Sequence, residues 1–252
     1  LNAELAFNPF SFLHIINPGY KFHKKVSGKE RFKLVHNRYL EFLEENILVK
    51  DSKESFYLYQ IEKGDFNCCG LFCATSVEDY RNDVIKKHEN TLQAREELFA
   101  NYLGTVEFNA EPVLMTYADN KAISTLLENQ KKNEADYLFT TKDKITHRLW
   151  VISDSDVVLA LTEEFGKISS LYIADGHHRS ASSNLYAENA KAANPKHSGK
   201  EPYNSFMSYL IPESEIRIYE FNRKVKDLND LTKEEFLIKL DEFYRIENKG
   251  NV

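Results

Sequence analysis

Ten consecutive residues, Leu171-Tyr172-Ile173-Ala174-Asp175-Gly176-His177-His178-Arg179-Ser180, restrict this chain to one local architecture. The apolar run reads as a buried strand, Asp175-Gly176 as a tight turn, and 180–188 as the helix that follows. At such a junction the first helical N–H groups lack backbone partners and the helix dipole presents partial positive charge, so an anion is favoured there. His177, His178 and Arg179 add switchable and forked donors, and Gly176 lets the backbone approach a ligand closely. These four are the candidate phosphate-binding residues. The alternative is structural: Asp175 and Gly176 make the turn, while the histidines and Arg179 cap the helix and pair with nearby carboxylates.

The same alternation runs along much of the chain. Apolar residues at Phe32, Val35, Tyr39 and Phe42 predict an amphipathic helix over 32–45. Segments 55–61 and 67–75 read as a β-hairpin around Lys63-Gly64-Asp65, and Ser76-Val77-Glu78-Asp79 as a capped helix start. Further helices are predicted over 91–102 (ending before Gly104), 122–130 and 154–165, and strands over 112–117, 135–140 and 145–152. After a polar loop, 194–202, come strands at 203–211 and 216–221 and a helix over 232–244 with Thr232 and Glu235 at capping-box spacing. Strands alternating with helices predict an α+β (mixed α/β) fold, with helices packed on a mixed sheet. Residues 1–252 read as a single α+β region without a clear linker, the loop at 194–202 being the best break. The chain begins at Leu1, and it is expected to be part of a longer protein.

Composition narrows the partners. Of 252 residues 42% are hydrophobic and 29% charged, which is globular, and the net charge of -6 gives no general attraction to nucleic acid or anionic membranes. A phosphate site here must be a local basic pocket, and nucleic acid is not an expected partner. Cys68, Cys69 and Cys73 lie in one apolar segment with no second cluster to complete a metal set, so they read as reduced core residues in a cytoplasmic protein. No apolar run approaches the roughly 20 residues of a membrane helix.

A second polar group is Lys86-Lys87-His88-Glu89-Asn90-Thr91, just before a predicted helix. It is either a solvated charge run with Asn90 or Thr91 as cap, or a site in which Lys87 meets a phosphate and Glu89 or His88 takes a proton from a hydroxyl. In the strand around Thr146-His147-Arg148-Leu149-Trp150, alternation puts His147 and Arg148 on opposite faces. Arg223 and Asp227 are spaced to pair. The phosphate-loop, dinucleotide-fold and hydrolase-elbow signatures are absent, as is His-Glu-x-x-His.

With these residues in view, the chain resembles a bacterial family of unknown function numbered 1015. The matching segments are Asn8-Pro9-Phe10-Ser11-Phe12-Leu13-His14, Lys87-His88-Glu89-Asn90-Thr91, His147-Arg148-Leu149-Trp150, Tyr172-Ile173-Ala174-Asp175-Gly176-His177-His178-Arg179 and Phe221-Asn222-Arg223-Lys224-Val225-Lys226-Asp227-Leu228. The Asp-Gly-His-His-Arg turn is further similar to the phosphate-binding turn of the ParB/sulfiredoxin-like superfamily, which includes kinases of free serine. That similarity implies a ParB/sulfiredoxin-like core and a phosphotransfer enzyme that uses a nucleotide donor on serine or a similar small hydroxyl substrate. Glu89, His88 and His178 are then the expected catalytic residues, Glu89 first as general base. Gly176, His177, His178, Arg179 and Lys87 hold phosphate, and Asp175 is a ligand of Mg²⁺. The alternatives are a phosphoserine-type phosphohydrolase with His177 or His178 as nucleophile or acid, and a non-catalytic nucleotide or metabolite sensor.

Overall fold

A computed structural model provides the structure, and it describes residues 7–19, 26–219 and 226–247. Two compact units, Leu1–Ile216 and Arg217–Val252, divide the chain. The boundary thus falls after the last strand, whereas the loop at 194–202 lies within the first unit.

The first unit is built on one eight-stranded mixed sheet. Strands β1 (Phe56–Lys63) and β2 (Phe66–Ser76) form the hairpin expected around Lys63-Gly64-Asp65, with Gly64 at φ +58 in the turn. The other strands are β3 (Ile85–Lys86), β4 (Val113–Tyr117), β5 (Tyr137–Thr140), β6 (Thr146–Ile152), β7 (Leu171–Asp175) and β8 (Ser205–Pro212). Their spatial order is β3-β7-β4-β8-β2-β1-β6-β5. β3 runs parallel to β7 and β4 parallel to β8, and the remaining neighbours are antiparallel.

Among the described residues the helices of this unit are α1 (Leu13–Ile16), α2 (Gly28–Glu44), α3 (Val77–Arg81), α4 (Gln93–Val106), α5 (Lys121–Gln130), α6 (Ser155–Phe165) and α7 (His177–Ala193). Side-chain caps fix starts among these, at Ser76 as the sequence predicts and at Asp154 where it predicts only a helix. Ser76 accepts from the Glu78 N–H at 3.0 Å, and Asp154 accepts from the N–H groups of Asp156 and Val157 at 3.0 and 3.2 Å. Asp154→Ala should therefore cost about 1 kcal/mol in a urea melt, the usual loss for a cap of this kind; an unchanged midpoint would remove the cap from the account.

Alternation of side chains splits the sheet into two faces. Leu58, Cys69, Leu71, Met115, Trp150 and Ile173 face a core shared with Ile123 and Leu127 of α5, Leu161 of α6 and Ala187 of α7. The opposite face carries a smaller cluster of Cys68, Tyr209 and Ile211, with Tyr59 and Phe72 against it. Gly70 lies between these layers of side chains where β2 meets β8. A Cβ there would stand 2.5 Å from the Leu210 carbonyl oxygen and from Ile211 Cγ2. The three cysteines form no disulfide, and burial pushes the Cys69 thiol up to about 12, as expected of core residues. A further apolar cluster joins Ile15, Val35, Phe42 and Val106 of α1, α2 and α4.

The expected mixed α/β class holds, while three local expectations are corrected. Helix α4 does not stop before Gly104: it continues to Val106, and the bare Gly104 lies close to Tyr186, where a Cβ would meet Cε2 at 3.1 Å. Helix α7 begins at His177 rather than Ser180, because Gly176 at φ +104 completes the turn in one residue. No strand forms at 216–219, which follow a short 3₁₀ turn at Glu213–Glu215; the rest of the segment expected as a strand, 220 and 221, lies outside the described residues. Arg223 lies there too, so the pair with Asp227 is not described. In the second unit α8 (Lys233–Asp241) starts with the expected reciprocal cap, Thr232 N–H donating to Glu235 at 2.8 Å and Glu235 N–H to Thr232 at 3.2 Å.

Candidate functional site

The parallel pairing of β3 with β7 decides where the polar segments meet. Ile85 pairs with Leu171 and Lys86 with Tyr172, and the Leu171 N–H donates to Val84 at 3.0 Å. Parallel strands end at the same edge, so the loop after Lys86 and the turn after Asp175 emerge side by side, at the carboxyl ends where open sheets bind ligands. Ile85, fully buried, anchors the short strand.

His177 occupies the first position of α7 and is 5% exposed. Its Nε2 accepts from the His88 backbone N–H at 3.4 Å, while its Nδ1 lies 3.6 Å from Glu89 Oε2. The ring of His88 meets that of His177 edge to face, with centroids 4.3 Å apart. An acceptor at Nε2 leaves the proton of a neutral ring on Nδ1, toward the Glu89 carboxylate. Burial, and next the neighbouring His88, pull the His177 pKa below its usual value, which favours the neutral ring. The loop at 87–91 thereby lies against the Asp175–Arg179 turn, the condition on which Glu89 could serve there as a base. Thr91 helps to hold the loop by donating to Glu96 in the first turn of α4.

Three other members of the expected set are engaged by protein. Arg179 folds back across Gly176, where a Cβ would stand 3.1 Å from its Nε. It donates to the Asp175 carboxylate and to the Pro112 carbonyl, and its Nη1 lies 3.4 Å from Glu111 Oε2. For Arg179 the carboxylate-pairing alternative therefore describes the structure, and Asp175 shares its carboxylate with a cation rather than standing open. Lys87 lays its ammonium over the Tyr80 ring at 4.3 Å and donates to the Tyr80 carbonyl at 3.4 Å. His178 differs: its Nδ1 is buried and has no hydrogen-bond partner.

The start of α7 has no side-chain cap. Just inside it, Ser180 donates to the His177 carbonyl at 3.0 Å and Ser183 to the Arg179 carbonyl at 2.9 Å, so the buried serines are satisfied within the helix. Sequence reasoning missed Glu111 and Pro112, the partners of Arg179. No spacing relates them to a residue 67 or 68 positions away, and a lone Glu-Pro before a strand carries no signal. His147 and Arg148 do face opposite ways: Nδ1 of His147 bonds to the Tyr59 hydroxyl at 2.6 Å, and Arg148 pairs with Glu62. Neither belongs to this cluster.

Among the described residues, His88, Glu89 and His177 also form a group whose possible ligand atoms all lie within 4.8 Å of one another. No helix among those residues is long and apolar enough to cross a membrane. Residues 1–252 match the model of a family described as protein of unknown function (DUF1015). No curated protein and no solved structure matches the chain.

Proposed function

The chain belongs to the DUF1015 family, and from that premise and the paired loops we propose that it is a cytoplasmic phosphotransfer enzyme for a small phosphate-bearing ligand. In its most specific form it is a kinase of free serine with a ParB/sulfiredoxin-like core and a nucleotide donor. The observation that carries this reading is the placement of Glu89, 65% exposed on its side chain, against buried His177 at the uncapped start of α7. Proton transfer needs the base within reach of a hydroxyl held beside the phosphates, and one edge of the sheet supplies both parts.

In this reading the first N–H groups of α7 cradle phosphate, with His178 and Arg179 beside them. Glu89 takes the hydroxyl proton as the oxygen attacks the terminal phosphorus, the bond from that phosphorus to the bridging oxygen breaks, and the shortened nucleotide leaves; His177 stands beside that carboxylate with Nδ1 3.6 Å from Oε2. Mg²⁺ would come with the nucleotide phosphates and would neutralise charge there. Asp175 is the residue of this chain that would hold it, and its carboxylate is paired with Arg179. Phosphohydrolysis through His177 as nucleophile fits less well, since both nitrogens of that buried ring face protein groups.

The direct test is phosphorus NMR of the purified chain with serine, a nucleoside di- or triphosphate and Mg²⁺. Phosphoserine should accumulate. Phosphate release from phosphoserine without the forward reaction would install the hydrolase reading, and ligand binding without any conversion would leave a sensor. Arg179→Ala should weaken nucleotide binding by about 2–4 kcal/mol, because it removes a cation and leaves Asp175 and Glu111 unpaired beside the phosphates. Calorimetry on the folded variant measures this, and an unchanged affinity takes Arg179 out of the site.

A further inference from the structure

We propose that His88, Glu89 and His177 form a binding site for a divalent transition-metal ion of the zinc class. Two imidazoles and one carboxylate are the donor types such ions take, and three protein ligands leave a coordination position open to water or substrate. Mg²⁺ and Ca²⁺ prefer oxygen ligands, so this set selects against the ion that accompanies nucleotides.

The geometry is nearly assembled. Bonds of about 2.0–2.1 Å to a tetrahedral ion separate neighbouring ligand atoms by roughly 3.4 Å. His177 Nδ1 and Glu89 Oε2 are already 3.6 Å apart, and the ligand atoms of all three residues lie within 4.8 Å. His177 is the fixed member, buried in the first turn of α7. His88 and Glu89 are exposed and follow a two-residue strand, so they are the members that close on the ion.

Proton accounting gives the site a recognisable consequence. A neutral ring carries one proton, held on Nδ1 toward Glu89. Coordination at Nδ1 moves that proton to Nε2, where it meets the His88 N–H. The 3.4 Å hydrogen bond between them then opens, and the loop shifts as the His88 ring turns inward. A Glu89 carboxylate bound to metal no longer accepts a proton. On the phosphotransfer reading, on which this last step rests, zinc loading therefore switches turnover off.

The test uses the chain without a histidine tag, stripped by chelator and titrated with Co²⁺, whose visible absorption reports coordination independently of activity. One equivalent should bind, be displaced by Zn²⁺ and resist excess Mg²⁺, and the His88 amide resonance should shift on loading. His88→Ala and Glu89→Gln should each weaken Co²⁺ binding by at least about tenfold, the smallest loss usually seen even for groups that only support a ligand. No binding, or unchanged affinity in both variants, overturns the site. Because absorption does not depend on turnover, a chain that binds Co²⁺ yet never phosphorylates serine retains this site and loses only the kinase reading.

Discussion

Glu89→Gln should lower turnover of serine and nucleotide by roughly 10²-fold or more in zinc-free protein assayed with Mg²⁺, the low end for removing a general base, and should leave nucleotide affinity at the parent value. The amide keeps the size and polarity of the carboxylate, so the loop after β3 still has a group to set against His177. It lacks a basic oxygen, so only the step that needs a proton acceptor is lost. Rapid-quench kinetics beside equilibrium binding separates the two. Parent-rate turnover in the variant would end the assignment of Glu89 as base. A matched loss of affinity and rate would instead make Glu89 a ligand-binding group.

The largest stability effect is expected far from the site. Gly70→Ala should destabilise the first unit by about 3 kcal/mol, the upper part of the usual range for overpacking. Its Cβ would stand 2.5 Å from the Leu210 carbonyl oxygen and 2.7 Å from Tyr209 Cε2. The first is backbone in a paired strand and the second belongs to a ring whose hydroxyl donates to the Tyr59 carbonyl at 3.0 Å, so neither yields cheaply. Gly70 has no positive φ, which leaves the close approach, rather than backbone strain, as the cause. Urea unfolding of the pair of proteins measures it, and a shift below about 1 kcal/mol would show that β8 can move aside.

What could be read in advance followed the reach of local chemistry. The hairpin at Lys63-Gly64-Asp65, the caps at Ser76 and Thr232, and the turn at Asp175-Gly176 each rest on residues within a few positions of one another, and each is present. The start of α7 was misplaced because histidine and serine are weak helix formers, and nothing local showed that a single left-handed glycine ends the turn. Gly104 resembled a terminator until the Tyr186 ring, 82 positions away, gave it a packing reason. The site divides in the same way. Residue types at 87–91 and 175–179 were legible, and so was the condition that the two segments meet. The short parallel ladder that brings them together was not, nor was the capture of Arg179 by Glu111 and Pro112. Pairing between distant strands is chosen by the summed packing of the sheet, which no single segment encodes.

Strand order also governs when the two halves of the sheet can join. Among the described residues β8 is the one strand paired to both the half-sheet β3-β7-β4 and the half-sheet β2-β1-β6-β5, and it is the last of the described strands in chain order. Leu71 and Leu210, paired across that seam, are 139 residues apart, so joining the halves waits on closure of a long loop. A chain emerging from the ribosome therefore carries two unpaired strand edges, on β2 and on β4, until Pro212 has cleared the exit tunnel. Exposed edges of that kind recruit other chains. During synthesis the hazard is premature association through those two edges, and it ends when β8 fills the gap between them.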